Sequence, residues 1–226
     1  MTVETRMAID SAVERGLKSH GESDAPIYRA AAALLRARRA HGVLVDVGCG
    51  IGRFLEHAGD LTEDYIGIDV VRHPGLSEDA AFYRADLDRE SIPVAPASAD
   101  IVSARETIEH LENPRPFCRD LVRILKPGGW LVLSTPNQLS VLSILCLIVR
   151  GRFVAFQDAY YPVHRTALLP SDLERIASEC GLTEIELGFS CAGRIPLTAA
   201  HYPPTLSQMF PQALSDNVLL VARKHA

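Results

Sequence analysis

Two glutamates and a histidine stand three and four residues apart in Glu106-Thr-Ile-Glu109-His110-Leu, and a second histidine, His164, follows in Tyr-Pro-Val-His-Arg. On a helix, positions i, i+3 and i+4 share one face, so the spacing predicts two carboxyls and an imidazole presented together. Such a group prepares a hydroxyl for attack in one of two ways. A histidine, His110 or His164, takes the proton directly, or a bound metal lowers the hydroxyl's pKa. The third reading is architectural: the segment caps the strand before it and hydrogen-bonds the loop around it. Spacing alone leaves all three open.

The elements that position these residues are organised around Val43-Leu-Val-Asp-Val-Gly-Cys-Gly-Ile-Gly-Arg-Phe54. Val43 to Val47 is apolar and partly β-branched apart from Asp46, as in a strand buried on both faces. Gly48, Gly50 and Gly52 follow, and a helical pattern begins at Arg53. Glycine lets the chain turn sharply and lets backbone N–H groups approach a ligand, which makes a first β–α turn into a nucleotide-binding loop. The next strand, 65–70, ends in Asp69 and Val70, where a carboxylate can accept from both ribose hydroxyls. A nicotinamide or flavin fingerprint needs G-x-G-x-x-G; Arg53 holds its last place, so an oxidoreductase is disfavoured.

The pattern Asp46-Val-Gly-Cys-Gly-Ile-Gly52 resembles motif I of the class I S-adenosylmethionine-dependent methyltransferases. The block Leu121-Val-Arg-Ile-Leu-Lys-Pro-Gly-Gly-Trp-Leu-Val-Leu-Ser-Thr-Pro-Asn137 is similar to the late core motif of that family. The resemblance implies that the glycines wrap the methionine end of S-adenosylmethionine and that Asp46 helps hold its amino group. It places Asp86 against the adenine amine with Leu87 near the ring. Arg105 and Glu106, at the end of the fourth strand (100–104), should face the cofactor, because ligands of open parallel sheets lie beyond the carboxyl ends of the strands. The E-x-x-E-H segment with its downstream histidine resembles ubiquinone-pathway O-methyltransferases and small-RNA terminal 2′-O-methyltransferases. The latter use such groups, here Glu106, Glu109, His110 and His164, to hold magnesium or manganese, and mixed oxygen and imidazole ligands suit manganese somewhat better.

The resemblance implies an α/β fold: a Rossmann-like, doubly wound, mostly parallel seven-stranded sheet with a terminal antiparallel strand. A single domain over 1–226 is expected, since 226 residues with 47% hydrophobic content can bury one full core. Strands are expected at 81–85 and 130–134, and helices at 114–125 and 170–180, the second opening on Pro170 and ended by Gly181. The last strands are placed at 183–189 and 217–222, the final one antiparallel beside the fifth or sixth. An Ala-rich helix, 27–40, packs on the sheet edge, with residues 1–41 covering the site and His20 read as a surface-loop residue. The Pro-rich linker 190–215 is expected to face the substrate.

A net charge of -5 gives no basic field to recruit nucleic acid, and Arg36, Arg38 and Arg39 read as a solvated helix face. The five cysteines are scattered and odd in number, fitting reduced thiols in a cytoplasmic protein, and no secretory signal opens the chain. Residues 138–165 form an insertion. Leu139 to Val149 is too short to span a bilayer but is apolar around its circumference, so part must be buried or meet lipid. It is expected as a lid carrying the acceptor's apolar part, with peripheral membrane contact through 139–156, core docking or a homodimer contact as alternatives. Arg150 and Arg152 suit an anionic headgroup, and Phe153 and Phe156 a ring. The expected acceptor is a small-molecule, lipid-linked or glycan hydroxyl; a non-catalytic S-adenosylmethionine-binding scaffold or regulator is the alternative.

Overall fold

The computed structural model describes residues 12–18 and 21–226; His20 lies outside the described residues. Seven strands, β1 (Gly42–Val47), β2 (Thr62–Asp69), β3 (Ala81–Arg84), β4 (Ala99–Arg105), β5 (Leu125–Pro136), β6 (Leu182–Phe189) and β7 (Asn217–Lys224), form one sheet. Their order is β3-β2-β1-β4-β5-β7-β6. Pairings among β1 to β5 are parallel. The final strand pairs antiparallel with both β5 and β6, so it sits between the two neighbours the sequence offered as alternatives. Its run from Val218 to Ala222 is fully buried, as an interior strand covered on both faces requires.

Alternation along β1 shows how the sheet is sandwiched. Leu44 joins Tyr28, Ala31, Leu35 and Phe54 on one face. Val45 and Val47 join Phe117, Leu121, Leu173 and Ile176 on the other. Successive side chains of a strand point to opposite faces, so each face is covered by its own helices. α2 (Ala25–Ala37) and α3 (Arg53–Ala58) supply the first layer, α4 (Pro114–Ile124) and α6 (Pro170–Glu179) the second. Pro occupies the first turn of α2, α4 and α6, where its missing N–H costs no hydrogen bond.

Residues 12–18 form helix α1. Beyond β5, α5 (Val141–Arg150) is capped by the Ser140 hydroxyl, which accepts from Ser143 N at 3.2 Å, and Gly151 ends it at φ 70°. Its apolar residues are only partly covered; Ser143 alone of the ten is buried. α7 (Pro204–Met209) lies in the 190–215 loop. That loop is held to the end of β5 by Asn137 Nδ2, which donates to the carbonyls of Gln212 and Ser215. No residue of 190–215 lines the main cleft, whose C-terminal contribution starts at Asn217.

Candidate active site

The strand order reverses at β1, which has β2 on one side and β4 on the other, and a crevice opens beyond the strand ends at such a switch point. Here it is a cleft of about 670 Å³. Of the residues expected at the cofactor, Gly48, Asp69, Val70, Asp86, Leu87 and Arg105 line it, whereas Asp46, Gly50 and Gly52 do not.

Asp69 accepts from Gly50 N at 2.9 Å and Val70 N at 2.7 Å, one per carboxyl oxygen. Each oxygen keeps a lone pair for a further donor, and burial pushes this carboxyl up from its ordinary pKa. Asp86 Oδ1 accepts from Asp88 N at 3.2 Å, while Oδ2 is buried without a hydrogen-bond partner. This acceptor in the cleft wall, with Arg89 Nε 3.7 Å away, fits an exocyclic amine. These two acids thus fit the ribose and adenine parts of S-adenosylmethionine.

Asp46 is placed differently from its expected role. It is fully buried, its two oxygens take both terminal nitrogens of Arg105 at 2.9 and 3.0 Å, and Tyr65 donates to Oδ2 at 3.1 Å. The Arg105 guanidinium lies 3.9 Å from the centroid of the Phe54 ring and also donates to Ser103. Asp46 and Arg105 leave β1 and β4 toward the same helical layer, so the acid meets an arginine before it can meet a ligand.

The glycines are demanded by the chain itself. A Cβ on Gly48 would lie 2.1 Å from Thr107 Oγ1, and one on Gly50 2.0 Å from the Gly21 carbonyl oxygen. Gly21 lies 29 residues before Gly50 along the chain. In space it begins a strap over the glycine loop, held by Ile51 N to the Gly21 carbonyl at 3.0 Å and by Arg53 to Glu22 at 2.8 Å. Only the pairing of φ 65° at Gly21 with a second glycine across the gap reveals it, and no local pattern encodes that.

The acid and histidine group is not helical. β4 ends at Arg105, Glu106 turns left-handed at φ 46°, and a single 3₁₀ turn carries Ile108 to His110. With three residues per turn, the i, i+3, i+4 face is lost and Glu106 departs from the others. Its amide is bound by the Ser134 carbonyl, and its carboxyl faces the Ser134 hydroxyl at 3.4 Å. Ligand atoms of Glu109, His110 and His164 still come within 4.8 Å of one another. The cation-ligand set suggested by resemblance thus shrinks to three, and Glu106 lines the cleft apart from it, as do His110 and His164.

Burial drives the charges here. It pushes His110 down to about 3, with His164 adding to the effect, and lowers His164 as well. It raises Glu106 to about 7, and Glu109 well above the usual carboxylate range with Glu106 contributing. Both imidazoles are therefore neutral near pH 7. His164 Nδ1 lies 2.7 Å from the Ala155 carbonyl; a carbonyl only accepts, so the proton sits on Nδ1 and Nε2 keeps its lone pair. Tyr160 stacks on His164 at 5.6 Å and 15°, Phe156 tilts against it at 5.6 Å, and His110 meets it edge-on at 4.9 Å. Phe156, expected to clamp a substrate ring, clamps a histidine instead.

The insertion also divides. Residues 159, 160, 161, 163 and 164 line the cleft, whereas no residue of α5 does. α1 contributes Ala12, Arg15, Gly16 and Lys18 to the cleft lining. Asp88 joins these two stretches, with Arg165 at 2.9 Å and Arg15 at 3.7 Å.

Residues 22–187 match a family model described as a methyltransferase domain. The chain is 29% identical over 157 residues to a ubiquinone biosynthesis O-methyltransferase of Burkholderia pseudomallei, covering 64% of this chain and 66% of that protein. The match thus spans just under two thirds of the relative's length. In three dimensions it is similar to a SAM-dependent methyltransferase from Archaeoglobus fulgidus (TM-score 0.62, 17% identity, 85% of this chain and 92% of that one). It is also similar to the 1,6-didemethyltoxoflavin-N1-methyltransferase of Burkholderia thailandensis, solved with S-adenosylhomocysteine (TM-score 0.64, 14% identity, 100% and 92% coverage). With the family model covering most of its length and the sheet in this order, the chain belongs to the class I S-adenosylmethionine-dependent methyltransferase domain family.

Proposed function

We propose that the protein transfers a methyl group from S-adenosylmethionine to the hydroxyl of a small-molecule, lipid-linked or glycan acceptor. One observation carries the reading: two neutral histidines, His110 and His164, line the same cleft as Asp69 and Asp86. A hydroxyl, unlike an amine with a free lone pair, must lose its proton as it attacks. The relative from Burkholderia pseudomallei, named an O-methyltransferase, supports the same acceptor atom.

Bound S-adenosylmethionine supplies an electrophilic methyl carbon on a sulfonium leaving group. The chain's work is alignment, exclusion of water and removal of one proton. Asp69, Asp86 and Leu87 hold the nucleoside end. Residues 159–164 and α1 wall the cleft and keep water out. S-adenosylmethionine held there would supply the methyl group, and an unprotonated imidazole nitrogen of His110 or His164 would take the proton of the acceptor hydroxyl. The Ala155 carbonyl fixes His164 in the tautomer this step needs.

A second reading is favoured by Glu109, whose two carboxyl oxygens are buried without a hydrogen-bond partner. Glu109, His110 and His164 would then hold a divalent cation, manganese or magnesium, which would lower the hydroxyl's pKa. The Nδ1 contact of His164 to a carbonyl is the kind that orients metal-bound histidine. Methyl-transfer assays over a panel of hydroxylated acceptors separate the readings. Loss of turnover with EDTA and its return with manganese or magnesium supports the cation. Chelator-insensitive turnover that falls with acid, and is abolished by His110→Gln or His164→Gln, supports the base. Cofactor binding without turnover across the panel would favour a non-catalytic binder.

A further inference from the structure

Two of the five cysteines meet where α4 packs on α6. Cys118 lies within α4 and is buried, and Cys180, half-buried, is the residue that ends α6. Both belong to one packed cluster, Cys118 inside it and Cys180 against it. Beside them Arg115 of α4 ties the two helices, its Nε donating to Glu179 at 2.8 Å. Cys118 stands three residues after Arg115, on the same face of its helix, and Cys180 directly follows Glu179. The pairing therefore carries the two thiols toward each other, and they share a hydrogen bond. Neither lines the cleft, and methyl transfer gives neither of them work.

Their surroundings divide the roles. The hydrogen bond with Cys118 holds the Cys180 thiol below its ordinary pKa, and the Arg119 and Arg115 charges add to that effect. The same bond raises Cys118, and burial raises it further. The C-terminal end of α6 works against a thiolate at Cys180, and the two guanidiniums work for it. A partly exposed cysteine beside cations is the setting of a reactive thiol, and a second thiol within reach is what resolves a sulfenic acid. Cys49 is the contrasting case. It is buried near Asp46 and Asp69, and its thiol is pushed up by that burial and by both acids.

We propose that Cys180 is a hydroperoxide-sensitive thiol and that Cys118 resolves its oxidised form, closing a disulfide between α4 and α6. The Cys180 thiolate attacks one oxygen of the peroxide. The S–O bond forms as the O–O bond breaks, and the departing oxygen takes up a proton. The Cys118 sulfur then attacks the sulfenic sulfur. The S–S bond forms, the S–O bond breaks, and hydroxide leaves with the Cys118 proton as water. The two thiols give up two electrons and the peroxide gains them. This inference stands whether or not the methyl acceptor is a hydroxyl.

Hydrogen peroxide added to the full chain, followed by alkylation of the remaining thiols and non-reducing peptide mapping, tests it. The expected product is a peptide pair linked through Cys118 and Cys180, absent before peroxide and lost on adding dithiothreitol. Cys118→Ala should abolish the link and leave Cys180 to be captured by dimedone, a reagent for sulfenic acids. Cys180→Ser should abolish the link and leave Cys118 unlabelled by dimedone, with the wild-type unfolding midpoint and affinity for S-adenosylhomocysteine. Should Cys118→Ala unfold, the wild-type map and Cys180→Ser decide. No linked peptide, a link formed through other cysteines instead, or dimedone labelling of Cys118 in Cys180→Ser would overturn the proposal.

Discussion

Gly21 crosses directly over Gly50: the carbonyl of the first accepts from Ile51 N at 3.0 Å and fills the space a Cβ on the second would need. The strap before α2 and the glycine loop after β1 are thereby one unit, and the loop's shape depends on a residue far from it in sequence.

Gly50→Ala is accordingly expected to displace the strap as well as the loop. Its Cβ would stand 2.0 Å from backbone at a φ of 53°, and overpacking of this kind costs about 1–3 kcal/mol. Chemical denaturation should show that loss, and calorimetry with S-adenosylhomocysteine a weaker affinity. Wild-type values in both would remove the crossing from the argument.

Asp69→Ala should weaken S-adenosylhomocysteine binding by about 1.5–3 kcal/mol, the range for hydrogen bonds to a charged group. Titration calorimetry on protein with a native circular dichroism spectrum reads this directly. Unchanged affinity would move the ribose away from β2.

Asp46→Ala tests a different consequence, because this acid is spent on Arg105. Removing one partner of a buried ion pair typically costs about 3–5 kcal/mol, since the other charge is left uncompensated. The variant should lose that much in denaturant unfolding. A variant that keeps wild-type stability but loses cofactor binding would return Asp46 to the amino group of the methionine.

His110 gives the protein a defined acid sensitivity. Its folded pKa lies near 3, below the ordinary imidazole value of 6.5, so between those values the unfolded chain binds a proton that the folded one does not. Stability then falls as pH drops from 6.5 toward 3, by at most about 1.4 kcal/mol per pH unit. Glu106, raised to about 7, works in the opposite direction from its ordinary value of 4.5 upward, and the two partly cancel between pH 4.5 and 6.5. Unfolding of His110→Gln followed against pH should therefore be less acid-sensitive than wild type. Identical pH slopes would mean that His110 is protonated in the folded protein.

The sequence by itself determined the sheet's core and the positions of Asp69 and Asp86, because both follow from local rules. A β-branched run ending in glycines can only be a buried strand and a turn, and an acid at a strand end stays at that end when the sheet assembles. The helix ends at Pro114, Pro170 and Gly181 were legible for the same reason. Tertiary structure alone decided which donors meet. The i, i+3, i+4 spacing of Glu106, Glu109 and His110 promised one helical face, but a left-handed Glu106 and a 3₁₀ turn sent the first acid to Ser134 and the other two toward His164. Asp46 met Arg105 from a neighbouring strand, and α5, largely apolar, came to lie outside the cleft. Each of these depends on partners distant along the chain, and distance along the chain carries no record of distance in space.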